Sequence, residues 1–309
     1  MPSPTAQFAV DLPYTWHPEV WVLVAFLTGA YVYMVRVIGP RAVPDGQPVV
    51  SRMNIVAFVG AMLTLELAAD WPVHDIGEDF LYSVHMVQHM ALTYFLPPLA
   101  LMATPTWLAR VRLGDGATYK VVKWFTHPIV AAVVFNASVM IIHIPLLVNE
   151  SVVNGPLHYL LHVLVVMTAL LMWSVVCGPI PEFRIGPGGT MVYLFAQSII
   201  PTVPAAWLVF AESPVYQAYD KADRLWGISV IDDQQFAGAV MKVAGGLYLW
   251  GIVIYLFFTK FASKFGDEHD YKRKGRMPAS EITGNDEFPL TTADVEREFA
   301  RSAPATDES

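Results

Sequence analysis

Seven stretches of this chain run apolar for close to the ~20 residues that a helix needs to cross a bilayer. That pattern limits the fold before any other feature is read. Inside the hydrocarbon no water is available to the backbone, so each stretch must satisfy its own amides as a helix. The stretches fall at 19–38, 53–70, 80–104, 128–148, 156–177, 189–211 and 235–260. They predict an all-α polytopic membrane protein with seven transmembrane helices, with membrane lipid as its surroundings. Composition agrees, with 55% hydrophobic and 15% charged residues against about 25% charged in soluble domains. Pro97-Pro98 and the pair Pro201 and Pro204 are expected to kink or break the third and sixth helices and leave carbonyls seeking other partners.

Loop charge sets the expected orientation. Arg36, Arg41, Arg52, Arg110, Arg112, Lys120, Lys123, Arg184 and the basic residues of 260–276 all lie in the connections after helices one, three, five and seven. The opposite connections hold only Lys221 and Arg224, among Glu212, Asp220, Asp223, Asp232 and Asp233. The positive-inside rule then puts the N-terminus outside and the C-terminus in the cytoplasm. Residues 1–262 form the membrane domain on this reading. Residues 263–309 form a polar cytoplasmic tail, mostly disordered by composition, with Thr292 to Arg301 able to become helical against a partner. Met1 to Trp16 carries no Lys or Arg, so no cleavable signal peptide is expected. A net charge of −8 without basic patterning argues against nucleic acid. The lone Cys177 excludes an intramolecular disulfide and a two-thiolate metal site, and its expected role is inert packing.

Histidine placement points to chemistry. His85 and His89 are four apart, as are His158 and His162, so each pair stacks on one helix face. On the expected topology these four and His143 share the outer leaflet. Ionisable groups inside a membrane are costly and are functional candidates by default. Imidazole suits copper, zinc and iron, and thioether favours Cu(I). Met86 and Met90 each follow a histidine, and Met140 lies one turn from His143. Copper, as Cu(I) or Cu(II), at the outer face is therefore the leading inference, with His85, His89, His143, His158 and His162 as ligands. Met86, Met90, Met140, Glu66, Asp70 and His74 are accessory candidates. For each histidine singly the plain alternative is donation to a neighbouring carbonyl or hydroxyl, and each methionine can equally be core filler.

Other charged groups have structural readings as well. Glu66 is expected to pair with Lys242 or to be protonated. Asp232 and Asp233, grouped with Lys242 as outer-pocket charges, are expected to cap the seventh helix. The acidic run from Trp71 to Asp79 is expected to be a solvated turn, and His127 before Pro128 a helix start.

Several motifs carry a family resemblance. They are His85-Met86-Val87-Gln88-His89-Met90, Leu96-Pro97-Pro98-Leu99, Ala103-Thr104-Pro105, His127-Pro128, His143-Ile144-Pro145 and His158-Tyr159-Leu160-Leu161-His162. Trp173, Cys177-Gly178-Pro179-Ile180-Pro181-Glu182, Asp233-Gln234-Gln235-Phe236-Ala237-Gly238 and Met241 extend the pattern. Together they resemble the seven-helix CtaG family of bacterial cytochrome c oxidase assembly proteins, across most of the chain. Lys242 departs from that pattern, at a place where an aromatic residue is expected. The resemblance implies a multi-pass protein of the bacterial cell (inner or plasma) membrane that helps to build oxidase copper centres without catalytic turnover. It implies cytochrome c oxidase subunits as partners, together with an extracytoplasmic copper donor protein, and functional roles for the five histidines. The alternatives are a haem- or quinone-binding redox protein, with imidazoles from facing helices as axial ligands, and a metal transporter.

Overall fold

The structure is a computed structural model that describes Leu12, residues 14–221 and 224–262, and Thr292, Glu296 and Arg297. The described residues contain helices and no strand. In chain order the helices are α1 (Pro18–Ala42), α2 (Arg52–Ala69), α3 (Val73–Asp79), α4 (82–103), α5 (Thr106–Leu113), α6 (Ala117–Phe125), α7 (Pro128–Ile142), α8 (Pro145–Val153), α9 (Gly155–Cys177), α10 (Pro187–Val209) and α11 (Val230–Lys260). Proline opens α1, α7, α8 and α10 at the first position. There its missing N–H costs nothing and its fixed φ already suits a helix.

Five helices are long and apolar enough to cross a membrane: α1, α2 together with α3, α9, α10 and α11. A sixth is reached if α6 and α7, bent by 68° at Thr126–His127, count as one. Phe26, Leu67, Ile129, Val192 and Leu247 are among the large apolar side chains left exposed. Such a surface belongs in lipid, and the described residues form an all-helical, multi-pass membrane protein.

One expected boundary changes. The fourth segment, expected at 128–148, is helical only to Ile142 and resumes as α8. Pro145 disfavours helical backbone at Ile144, which is extended, so His143 lies at the end of α7. The sixth segment breaks at Ile200–Pro201, where it is expected to, because Pro201 and Pro204 each lack a backbone donor.

Pro97-Pro98 does not break α4. The helix widens instead into a π turn over Ala91–Phe95. Pro97 has no N–H to give the Thr93 carbonyl, and the Trp173 indole donates to that oxygen at 2.9 Å. Trp173 is buried with Tyr94, Phe135, Met172, Leu194 and Leu249 in the main core cluster. α4 packs against α2, α9 and α11. The approach of α2 is eased by Ala57, Ala61 and Ala68, all buried, since small side chains let helices meet closely. His127 stands at the helix start ahead of Pro128, as its sequence context implies. In the separate unit Phe261–Ser309 only Thr292, Glu296 and Arg297 are described beyond 262, each helical. The remainder of the expected Thr292–Arg301 helix, and most of Met1 to Trp16, lie outside the described residues.

Candidate metal centre

The site begins with the cap on α4. The first amides of a helix have no partner within it. Here one carboxylate from α11 supplies both contacts: Asp233 accepts from the Tyr82 amide at 2.7 Å and the Ser83 amide at 3.0 Å. Asp233 is 1% exposed. The expectation that Asp232 and Asp233 cap their own helix is corrected. Ser229 caps α11 by accepting from the Asp232 amide, and its hydroxyl donates to the Asp232 carboxylate. Asp233, one residue further round the helix, turns inward and fixes α4.

With α4 fixed, its histidine face meets that of α9. Ring centroids lie 4.4 Å apart for His85 and His89 and 4.3 Å for His158 and His162. Across the two helices they lie 4.7 Å apart for His89 and His162, 5.6 Å for His85 and His162, and 5.8 Å for His85 and His158. His143 lines the same cavity with Met86, Leu161, Tyr82 and Tyr219. The cavity volume is ≈ 20 Å³, room for one water or one ion.

α3 packs on α4 beside this cavity. Gly77 lies so close to α4 that a Cβ there would stand 3.1 Å from both the backbone N and Cα of His85. The Tyr219 hydroxyl holds the Gly77 carbonyl at 3.1 Å. The next residue, Glu78, is thereby brought between the two histidine helices. Its Oε1 lies 2.8 Å from His158 Nε2 and 3.2 Å from His85 Nδ1. At these distances Glu78 is the charge partner of both imidazoles. Glu78 Oε1, His85 Nδ1, His158 Nε2, His162 Nε2 and His143 Nε2 are all buried without a hydrogen-bond partner. Buried polar atoms are normally satisfied; three of these five belong to the Glu78 ion pairs, and His162 Nε2 and His143 Nε2 remain as nitrogens free to take a ligand. Potential ligand atoms of His85, His89 and His162 lie within 4.8 Å of one another, as do those of Glu78, His158 and His162. The residues present therefore fit a metal ion. His143 belongs to neither triad. Its Nδ1 donates to the Val139 carbonyl at 2.7 Å, which leaves Nε2 as the lone-pair nitrogen.

The family model for the cytochrome c oxidase caa3 assembly factor (Caa3_CtaG) matches residues 29–263. The chain belongs to this family. Among curated proteins it is similar to the uncharacterized protein Mb0105 of Mycobacterium bovis and the uncharacterized protein MT0111 of Mycobacterium tuberculosis. Each is 30% identical over 179 residues, covering 52% of this chain and 27% of the relative's own length. No solved structure shows a significant match.

In this Caa3_CtaG protein the run Asp233-Gln234-Gln235 is a set of tertiary clamps. Gln234 accepts from the amides of Val215 and Tyr216 and donates to the Tyr216 carbonyl. Gln235 donates to the Ala211 carbonyl at 2.9 Å. Tyr216, so placed, gives its hydroxyl to the His143 carbonyl at 3.0 Å.

The accessory candidates scatter. Met86 lines the cavity. Met90 packs on the main core and touches the space beside Gly245, and Met140 is 38% exposed on the outside of α7. His74 stands at the rim, its Nδ1 3.2 Å from Gln88 Nε2 and its ring 6.1 Å from that of His158. Asp70 accepts from the Trp21 indole at 3.0 Å. Glu66 is not paired with Lys242: its carboxyl oxygens have no hydrogen-bond partner. Lys242 donates to the Ser198 carbonyl at 3.4 Å and the Thr202 hydroxyl at 2.5 Å, across the proline break of α10, and lines no part of the histidine cavity. The Cys177 thiol is half-buried and lies against the Trp173 carbonyl.

Two residues of the site were not singled out from the sequence. Glu78 was one acid among several in a run that reads as a solvated turn, and the run is instead α3. His17 anchors the segment before α1 to Asp75 at 3.0 Å, and its ring lies 4.8 Å from that of His74. Its signal was a histidine directly before Pro18, which reads only as a helix start.

Proposed function

We propose that this protein is a non-catalytic assembly factor that holds copper as cargo on His85, His89, His158, His162 and Glu78 and presents it to a cytochrome c oxidase subunit. The observation that carries this reading is the convergence of four imidazole rings from α4 and α9, with the Glu78 carboxylate beside them, on a cavity one ion in size. Imidazole nitrogens and one carboxylate, with no thiolate, favour exchange over permanent retention. A small rigid cavity also argues against haem, since a porphyrin does not fit in ≈ 20 Å³. The bulky apolar cluster around Tyr94, Phe135 and Trp173 gives little support to a transport path through the bundle.

In the same reading α4 and α7 also cross the membrane, making seven spans, with the N-terminus outside and the C-terminus cytoplasmic in a bacterial plasma membrane. The histidine cavity then opens at the outer leaflet, where an extracytoplasmic copper donor and the client subunit have access. Within the site, Asp233 holds α4 in register and Glu78 balances cationic charge. His143 offers a further nitrogen from the side.

The test is the double variant His85→Ala/His89→Ala in a cell that depends on this protein for its oxidase. Oxidase copper and activity should fall while haem content is retained. The purified wild-type protein should bind copper that chelators remove, and show no Soret band. Normal oxidase copper in the double variant, with the protein present in the membrane, overturns the proposal.

A further inference from the structure

The two triads of donor atoms share a residue. One is all imidazole: His85, His89 and His162. The other is mixed: Glu78, His158 and His162. Along the helices the mixed triad lies towards α3, while His89 sits a full turn further into α4. A neutral imidazole has one lone-pair nitrogen and one N–H. His162 can thus serve one triad or the other, and bridging both requires loss of its second proton. The cavity of ≈ 20 Å³ likewise has room for a single ion.

The two positions differ in charge and in hardness. A doubly charged ion taken out of water needs a counter-charge close by, and the carboxylate of Glu78 is in only one of the triads. Cu(II) favours tetragonal sets of nitrogen and oxygen, whereas Cu(I) favours softer donors. Met86, whose side chain lines the same cavity, adds a thioether to the surroundings.

Resting on the copper reading above, we propose that the site holds one copper ion in either of two overlapping positions selected by valence. Cu(II) takes Glu78, His158 and His162; Cu(I) takes His85, His89 and His162; His162 is common to both. The site thereby distinguishes incoming Cu(II) from Cu(I) by position, without itself supplying an electron.

The experiment titrates the purified full-length protein in detergent with Cu(II), and separately with Cu(I) held reduced by ascorbate. Affinities are read by chelator competition, and the Cu(II) donor set by electron paramagnetic resonance. Wild type should bind one copper per chain in either valence. Glu78→Gln should weaken Cu(II) by about tenfold or more, with a hyperfine pattern that has lost an oxygen donor, and leave Cu(I) within about twofold. His89→Ala, with His85→Ala as a repeat should one variant misfold, should do the reverse. His162→Ala should weaken both. Two coppers per chain, or equal losses of both valences in Glu78→Gln and His89→Ala, overturn the two-position proposal and leave a single copper site standing. Wild-type protein that binds neither valence overturns the copper reading beneath it.

Discussion

Asp233 does work that its own helix does not reveal. An acidic residue in a first turn ordinarily caps the helix it belongs to, and nothing local distinguishes Asp233 from Asp232. Only the approach of α4 decides which of them turns inward. Replacing Asp233 with Ala leaves the Tyr82 and Ser83 amides buried without an acceptor, a cost of about 1–3 kcal/mol each at most. Asp233→Ala should lower the thermal midpoint in detergent clearly, and Asp233→Asn, which keeps one acceptor oxygen, should lower it less. The histidines themselves were legible, because i,i+4 spacing fixes a shared face whatever the tertiary structure. Glu78 was not, because its partners are far apart in sequence. His17, just outside α1, gives a pH prediction. Burial of its ring alone would lower its pKa, but the carboxylates of Asp75 and Glu19 outweigh burial and raise it above the usual 6.5. The fold thus favours charged His17, so the tether to α3 is fully formed below pH 6.5 and fades as pH rises through the raised value. Protection factors of the amides over 14–20, which correct for the base catalysis of exchange, should be higher at pH ~6 than at pH ~8, and His17→Gln should remove that difference.

At the scale of elements, α3 is the piece whose placement matters most for the site. Polar composition hid it, since Asp75, Gly77, Glu78 and Asp79 read as a turn. Its start is a local bond, the Asp70 carbonyl accepting from the His74 amide, and tertiary contacts seat it, with Gly77 against α4 and its carbonyl held by Tyr219. The Gly77→Ala methyl would meet backbone atoms of His85, which cannot swing aside as a side chain could. This substitution should push α3 outward, destabilise the protein by about 1–3 kcal/mol, and weaken copper binding as Glu78 withdraws. Both effects can be followed by thermal denaturation and chelator competition on one preparation. The end of α7 shows the complementary limit. His143-Ile144-Pro145 carries a stop signal, but the apolar residues that follow it extend the hydropathy pattern past the true end. Hydropathy reports solubility in lipid and is blind to a proline-induced turn between two apolar helices.

For the whole molecule, the apolar segments specified far more than any single motif did. They gave an all-helical membrane protein, of which five or six helices meet the length and apolarity of a span. α4 falls short of that measure because it carries His85, Gln88, His89, Pro97 and Pro98, the residues from which its chemistry and its wide turn arise. Topology is open to direct measurement. On the proposed orientation, a fluorescent protein fused after Lys260 should fold in the cytoplasm and fluoresce, while alkaline phosphatase fused there should stay inactive; the opposite pair of results would invert the assigned sides. The wide turn in α4 has a further effect on geometry. A π turn holds one residue more than an α turn, so the stretch before Ala91 and the stretch after Phe95 are out of phase by about 100°. The histidines and the double proline are therefore aimed independently along one rod, and the angular offset lets a single helix seat its first half on α11 and its second half on α2 and α9.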